Sequence, residues 1–247
     1  MNYTLNVGWL YPELMSTYGD RGNIIVLQKR CEWRGINVEI KRLDVGFDHK
    51  LLTTCNLLFM GGAQDKQQQI VAEDLLKKRD TLKEMIDNGT PGLYICGAYQ
   101  FLGKYYREAD KTVINGLGIL DFYTENPGEG FSRLIGNTVA RVLDGRTIVG
   151  FENHGGRTYL GKQVKPLGKV IKGFGNNGKD DTEGVIYKNS FGSYFHGPIL
   201  PKNPEFADLF IKLALEKKNQ SPINLSPLDD SLENKSKENM LQKLGVK

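Results

Sequence analysis

The chain has 247 residues, 33 Lys and Arg against 29 Asp and Glu, and a formal net charge of +4. That length can bury a full core and fits one large α/β domain, and the charge is spread too evenly to form the arginine-rich or aromatic-interleaved strip that grips nucleic acid. Apolar runs such as Leu57 to Met60 and Leu93 to Cys96 are too short to cross a bilayer, and the first residues lack the basic-then-apolar layout of a signal peptide, so a soluble, cytoplasmic protein is expected.

Taken in chain order, Tyr3 to Tyr11 alternates apolar and polar residues and predicts a strand. Tyr18 to Gly22 is a turn-rich loop, and Asn23 caps a helix running to about Arg34, on which Cys31 is a small buried hydrophobe. Val38 to Leu43 supplies a second strand. Leu57 to Met60, entered from Cys55, supplies a third. Ala63 to Asn88 carries a long helical pattern closed by Gly89 and Pro91. Leu93 to Ile95 is the fourth strand, followed by a helix over Tyr99 to Tyr106. Such alternation predicts an α/β fold with a doubly wound, mostly parallel sheet, whose ligands gather at the carboxyl ends of the strands. From about Gly116 the pattern changes to shorter strands, including Asn137 to Leu143 and Thr147 to Phe151, read as antiparallel additions to the same sheet. A last strand ends at His196, and Asn203 to Lys217 forms a closing helix. The division expected is a catalytic domain over 1–217 and a polar tail over 218–247, with a weak helix near Leu228 to Leu244, either contacting a partner or loose.

Two strand ends break into small residues, at Gly61-Gly62 and at Cys96-Gly97. A strand feeding a helix through a sharp turn exposes the side chain at the turn, with the following N–H groups aimed at whatever it attacks. Cys96 is therefore the candidate nucleophile, although a buried core cysteine has the same local surroundings. The cysteines have neither zinc-site nor CxxC spacing, and their odd number fits reduced thiols. A thiol nucleophile needs a base, and the chain offers His49, His154 and His196. His49 lies in a polar loop. His154, among Glu152, Asn153 and Arg157, is a rival whose polar neighbours fit a role in holding the loop. His196, at a strand end before Gly197-Pro198, is the candidate base. The N–H of Gly97 and N–H groups of the Gly61-Gly62-Ala63 turn, Gly62 included, are candidate oxyanion donors.

Cys96-Gly97-Ala98-Tyr99-Gln100 resembles the GxCxGxQ elbow of class I glutamine amidotransferases. Tyr18 to Asn23, Gly61 to Gln68, Gly118 to Thr124, Gly150 to Thr158 and Tyr194 to Pro204 resemble, more narrowly, the cobyric-acid-synthase-like branch and its glutaminase subunits of lipid II isoglutaminyl synthase. The likeness spans roughly Asn6 to Leu215. It implies a class I glutamine amidotransferase-like fold, with Cys96 as nucleophile, His196 as base, and Arg133 and Gln100 binding glutamine. It also implies a heterodimer with a Mur-ligase-like subunit resembling MurT, which would use ammonia and ATP to amidate the D-glutamate α-carboxyl of lipid II in peptidoglycan synthesis. This chain shows no Walker A sequence and no metal-ligand cluster, so no cofactor is expected in it; ATP and Mg are assigned to the partner, and lipid II would reach the chain only through that partner, at the inner face of the membrane. Two alternatives remain: a stand-alone cysteine hydrolase and a non-catalytic binding subunit. One departure stands out, because the acid two residues after the histidine is replaced here by Pro198. A dyad, Asp20 or Glu152 from elsewhere, or an acid from the partner are the alternatives.

Overall fold

Leu57 to Met60 and Gly92 to Ile95 are buried at every position, the pattern of strands covered on both faces. The computed structural model describes residues 3–142 and 144–246; Leu143, the end of one predicted strand, lies outside them. Strands β1 (Thr4–Leu10), β2 (Asn37–Leu43), β3 (Leu57–Met60) and β4 (Gly92–Ile95) are joined by helices α1 (Arg21–Glu32), α2 (Asp65–Leu76) and α3 (Arg79–Asp87). They are completed by β13 (Val185–Tyr187) and β14 (Ser190–Ser193) into a six-stranded sheet of order β13-β14-β4-β3-β1-β2. Every pairing in it is parallel except β13 with β14. Helix α5 (Pro204–Asn219) docks through Phe206 and Phe210, whose rings pack edge-on against Phe191 of β14 at 5.7 and 5.0 Å.

The α/β class and the parallel sheet are as expected; the fate of the shorter strands is not. After the short helix α4 (Gly97–Leu102), two separate four-stranded sheets form. One has the order β10-β7-β5-β6, from β5 (Tyr105–Arg107), β6 (Val113–Asn115), β7 (Phe122–Glu125) and β10 (Arg157–Leu160). The other has the order β12-β11-β8-β9, from β8 (Leu134–Val142), β9 (Thr147–His154), β11 (Gly168–Lys172) and β12 (Thr182–Glu183). The reason is topological: β14 takes the place beside β4, and β13 closes that edge antiparallel, so among the described residues only β13 joins the main sheet as an antiparallel addition. The helix expected over Tyr99 to Tyr106 is α4 followed by β5. The long pattern from Ala63 to Asn88 is two helices. At the break between them, the Lys78 ammonium meets the buried Asp74 carboxylate at 2.7 Å, an i,i+4 pair, and that carboxylate also accepts the Tyr11 hydroxyl at 3.0 Å.

The tail is docked. Helix α6 (Ser231–Lys243) follows an extended stretch, and the buried Arg30 of α1 grips Asp230 through Nη1 (2.6 Å) and Nη2 (3.0 Å) while Nε and Nη2 hold Asp208 of α5 at 2.6 and 2.8 Å. Arg34 adds a second fork to Asp208 and an Nε bond to the Ser226 carbonyl. Charged hydrogen bonds of this kind are worth about 1.5–3 kcal/mol each. Asp230→Ala should therefore raise amide exchange across 231–243 while leaving β3 and β4 protected; unchanged exchange in α6 would show that Arg30 does not anchor the tail.

Candidate active site

At the end of β4 the backbone turns at Cys96 with φ 52° and ψ −106°, a conformation that costs a non-glycine residue of order 1–3 kcal/mol. The turn is fixed from both sides. Cys96 N–H donates to the Ser193 carbonyl at 2.8 Å, and the Cys96 carbonyl accepts Gln100 N–H at 2.9 Å as α4 begins. A Cβ at Gly97 would lie 2.9 Å from Gln68 Cδ, so any side chain there would displace Gln68 from the cleft. The Gly97 N–H opens a helix whose first N–H groups have no acceptor within the helix. Burial pushes the Cys31 thiol up to about 12 and raises that of Cys55 too, so neither competes as a nucleophile.

His196 is pinned at backbone and ring. Its N–H donates to the Phe151 carbonyl at 2.6 Å and its carbonyl accepts Phe151 N–H at 3.2 Å, a bridge from β9 to the segment that follows β14; the strand expected to end at His196 stops at Ser193. Nδ1 lies 3.3 Å from Asp20 Oδ1, both side chains being fully buried, and Nε2 is left without a hydrogen-bond partner among the described residues. Asp20 thus stands where the acid missing at Pro198 is needed, and Glu152 does not. Burial opposes charging of the His196 ring, but the Cys96 sulfur and Asp20 outweigh it and push the ring up to about 10.

Gly62 lies between these groups: a Cβ there would be 2.7 Å from His196 Cε1 and 3.1 Å from Cys96 Cβ. Its N–H donates to Asp20 Oδ2 at 2.7 Å. Gly62, expected to offer an oxyanion donor, therefore uses that donor to hold the carboxylate, because a buried charge needs its hydrogen bonds filled.

Cys96 and His196 open into a cleft of about 270 Å³, below the roughly 300–1,000 Å³ of drug-sized pockets and suited to a small polar metabolite. Gln100, Gln68, Arg133, Asn153, His154 and Tyr18 also line it. Gln100 is buried, its Nε2 donating to the Tyr194 hydroxyl at 3.2 Å while Oε1 has no partner among the described residues. Arg133 is exposed at the mouth, with Nε and Nη2 donating to Oδ1 and the carbonyl of Asn153, each at 3.0 Å. Asn153 Nδ2 donates to the Tyr18 hydroxyl at 3.0 Å, and the Tyr18 ring stands edge-on to His196 at 4.9 Å. Nothing local in the sequence marks Asn153 and Tyr18 as parts of one chain of contacts; the signal that reaches them is that both lie in segments resembling the family's motifs.

His154 lines the cleft yet is built into its wall. Its ring stacks on Tyr194 at 3.6 Å, its Nδ1 donates to the Gly156 carbonyl at 2.8 Å, and burial holds it below the usual imidazole range although Glu152 lies 3.8 Å away. Glu152 accepts the N–H groups of Phe174 and Gly175 at 2.7 and 2.9 Å. Both residues hold loops, as their polar neighbours implied. His49 is exposed beside Asp48.

A nucleophile at a strained elbow, a base and an orienting carboxylate in a small cleft fit acyl transfer from a small amide. Residues 6–204 match the CobB/CobQ-like glutamine amidotransferase domain. The chain belongs to that family. It is an α/β glutamine amidotransferase, and it is 41% identical over 245 residues to the lipid II isoglutaminyl synthase (glutamine-hydrolyzing) subunit GatD of Staphylococcus aureus, covering 98% of this chain and 96% of that one. It is 44% identical over 233 residues to the subunit of the same name from Streptococcus pneumoniae, covering 93% and 88%. In fold it resembles a crystal structure of a glutamine amidotransferase with a TM-score of 0.58 at 18% identity, covering 84% of this chain and 98% of that one.

Two outcomes follow. Gly62→Ala should push the His196 ring off its station and lower glutamine hydrolysis by about 10²-fold; steady-state rates check this, and wild-type activity in the variant would show that the close packing is not needed. Because the folded His196 binds its proton more tightly than a free imidazole of pKa 6.5, its contribution to stability is complete below that value and is lost as pH rises through about 10. Thermal melts across that window should fall more steeply for wild type than for His196→Gln.

Proposed function

We propose that this amidotransferase hydrolyses L-glutamine through a cysteinyl thioester and passes the ammonia to a Mur-ligase-like partner, which amidates the D-glutamate α-carboxyl of lipid II. The observation that carries the chemistry is the line from Asp20 through His196 to Cys96 in a cleft with Arg133 at its mouth. The substrate of the partner reaction is taken from the relatives' names, each matched over nearly the whole chain.

His196 Nε2 takes the Cys96 thiol proton, which the Cys96 sulfur and Asp20 keep on the ring, and Asp20 holds Nδ1–H and so orients the ring. The sulfur attacks the carboxamide carbon. Charge developing on the carbonyl oxygen is met by the Gly97 N–H, a donor of a kind worth roughly 10²–10³ in rate. Collapse breaks the C–N bond, and His196 Nε2–H hands its proton to the departing nitrogen, which leaves as ammonia. Water then gives a proton to His196, attacks the thioester and releases glutamate with the Cys96 thiol restored. Arg133 grips the α-carboxylate in a planar fork, and Gln100 lines the wall beside the elbow. ATP and Mg belong, on this reading, to the partner's step.

Ammonia release from glutamine, measured with and without a purified Mur-ligase-like protein, tests the proposal. Cys96→Ser should abolish release while Cys31→Ser and Cys55→Ser keep it. Arg133→Ala should lose most glutaminase activity while an ammonium salt still supports amidation of lipid II by the complex. Activity retained in Cys96→Ser would end the thioester route.

A further inference from the structure

We infer that Asn153 is the positioning residue that presents Arg133 to the substrate α-carboxylate, an inference that rests on the glutaminase reading of the cleft. Arg133 precedes β8 on an exposed segment, where a long side chain has much rotamer freedom to lose. Asn153 removes that freedom. Its side-chain oxygen takes Nε and its main-chain carbonyl takes Nη2, which locks the plane of the fork at two points. Nη1 is left at the cleft wall: a Cβ on Gly155, which lines the cleft, would stand 3.4 Å from it.

The chemistry of the acceptor matters as much as its place. An aspartate there would hold the guanidinium equally well and neutralise it, setting a fixed carboxylate against the substrate's. The amide of Asn153 orients the fork and leaves its charge for the ligand. The same amide donates to the Tyr18 hydroxyl, so its orientation is set from both ends, and the Tyr18 ring rests on His196. Asn153 is also two residues from Phe151, whose backbone brackets His196. The grip on the carboxylate and the base are thus held by one strand.

The full chain with its partner subunit decides the matter through two readouts. One is glutamine hydrolysis; the other is alkylation of Cys96 by iodoacetamide, which carries no carboxylate and reports the elbow and base alone. Asn153→Ala should lower kcat/KM for glutamine by about 10- to 100-fold, chiefly through KM, with Cys96 alkylation within about twofold of wild type. Asn153→Asp should show raised KM as well, and Arg133→Ala combined with Asn153→Ala should be no worse than Arg133→Ala alone, as expected of two residues acting as one. Unchanged KM in Asn153→Ala, a parallel loss of alkylation, or an Asn153→Asp variant that binds glutamine as wild type does would each overturn the inference. If Arg133→Ala itself leaves KM unchanged, the reading of Arg133 fails; if Arg133→Ala raises KM and Asn153→Ala does not, only the role of Asn153 fails.

Discussion

The carboxylate of Asp20 has two oxygens and two obligations. Oδ1 faces His196 Nδ1, and Oδ2 receives the N–H of Gly62. Asp20 closes the loop between β1 and α1, Gly62 follows β3, and His196 follows β14, so one fully buried charge ties the ends of three parallel strands together. Cys96 arrives on the fourth, β4. Removing a charge from water is costly unless its hydrogen bonds are filled, and here the groups that fill them belong to the site. Even the neighbouring glycine serves this arrangement: a Cβ at Gly61 would stand 2.5 Å from the Met15 carbonyl and 2.9 Å from Asp20 Oδ2.

Strand β9 does for the other wall what Asp20 does for the floor, through the alternation of side chains along a strand. Glu152 and His154 turn into the protein, where they fasten the Phe174-Gly175 amides and the Gly156 carbonyl. Asn153 points to the mouth, and the Phe151 backbone pairs with His196. A slip of one residue in the pairing of β8 with β9 would turn Asn153 inward and carry Glu152 to the cleft. Register, more than the identity of any one residue, holds this wall.

The placing of Cys96, Gly97 and His196 in the cleft region is legible because each sits where an apolar run breaks into small residues, a signal local to the chain. The parallel sheet was legible for the same reason. Asp20 was one alternative among several, since its contact with His196 spans 176 residues and exists only once the strand order is known. Arg133 carries no local signal beyond the resemblance; its partner lies 20 residues on, across a hairpin whose register the sequence does not state. The division into three sheets was hidden likewise, because alternation in β7 or β8 tells which face is buried and not which sheet the strand joins. The spent N–H of Gly62 was hidden by the same distance: its acceptor comes from 42 residues away.

The left-handed backbone at Cys96 sets chemistry and folding against each other. Glycine would adopt φ 52° without the steric penalty a cysteine meets there. A chain that lost its sulfur to glycine would discard strain of order 1–3 kcal/mol, a sizeable part of the 5–15 kcal/mol that holds an ordinary domain folded. If Cys96 is the proposed nucleophile, mutational drift scored on foldedness alone would therefore run toward an inert protein of the same shape, and a well-folded relative with this sheet order carries no assurance that the reaction survives in it.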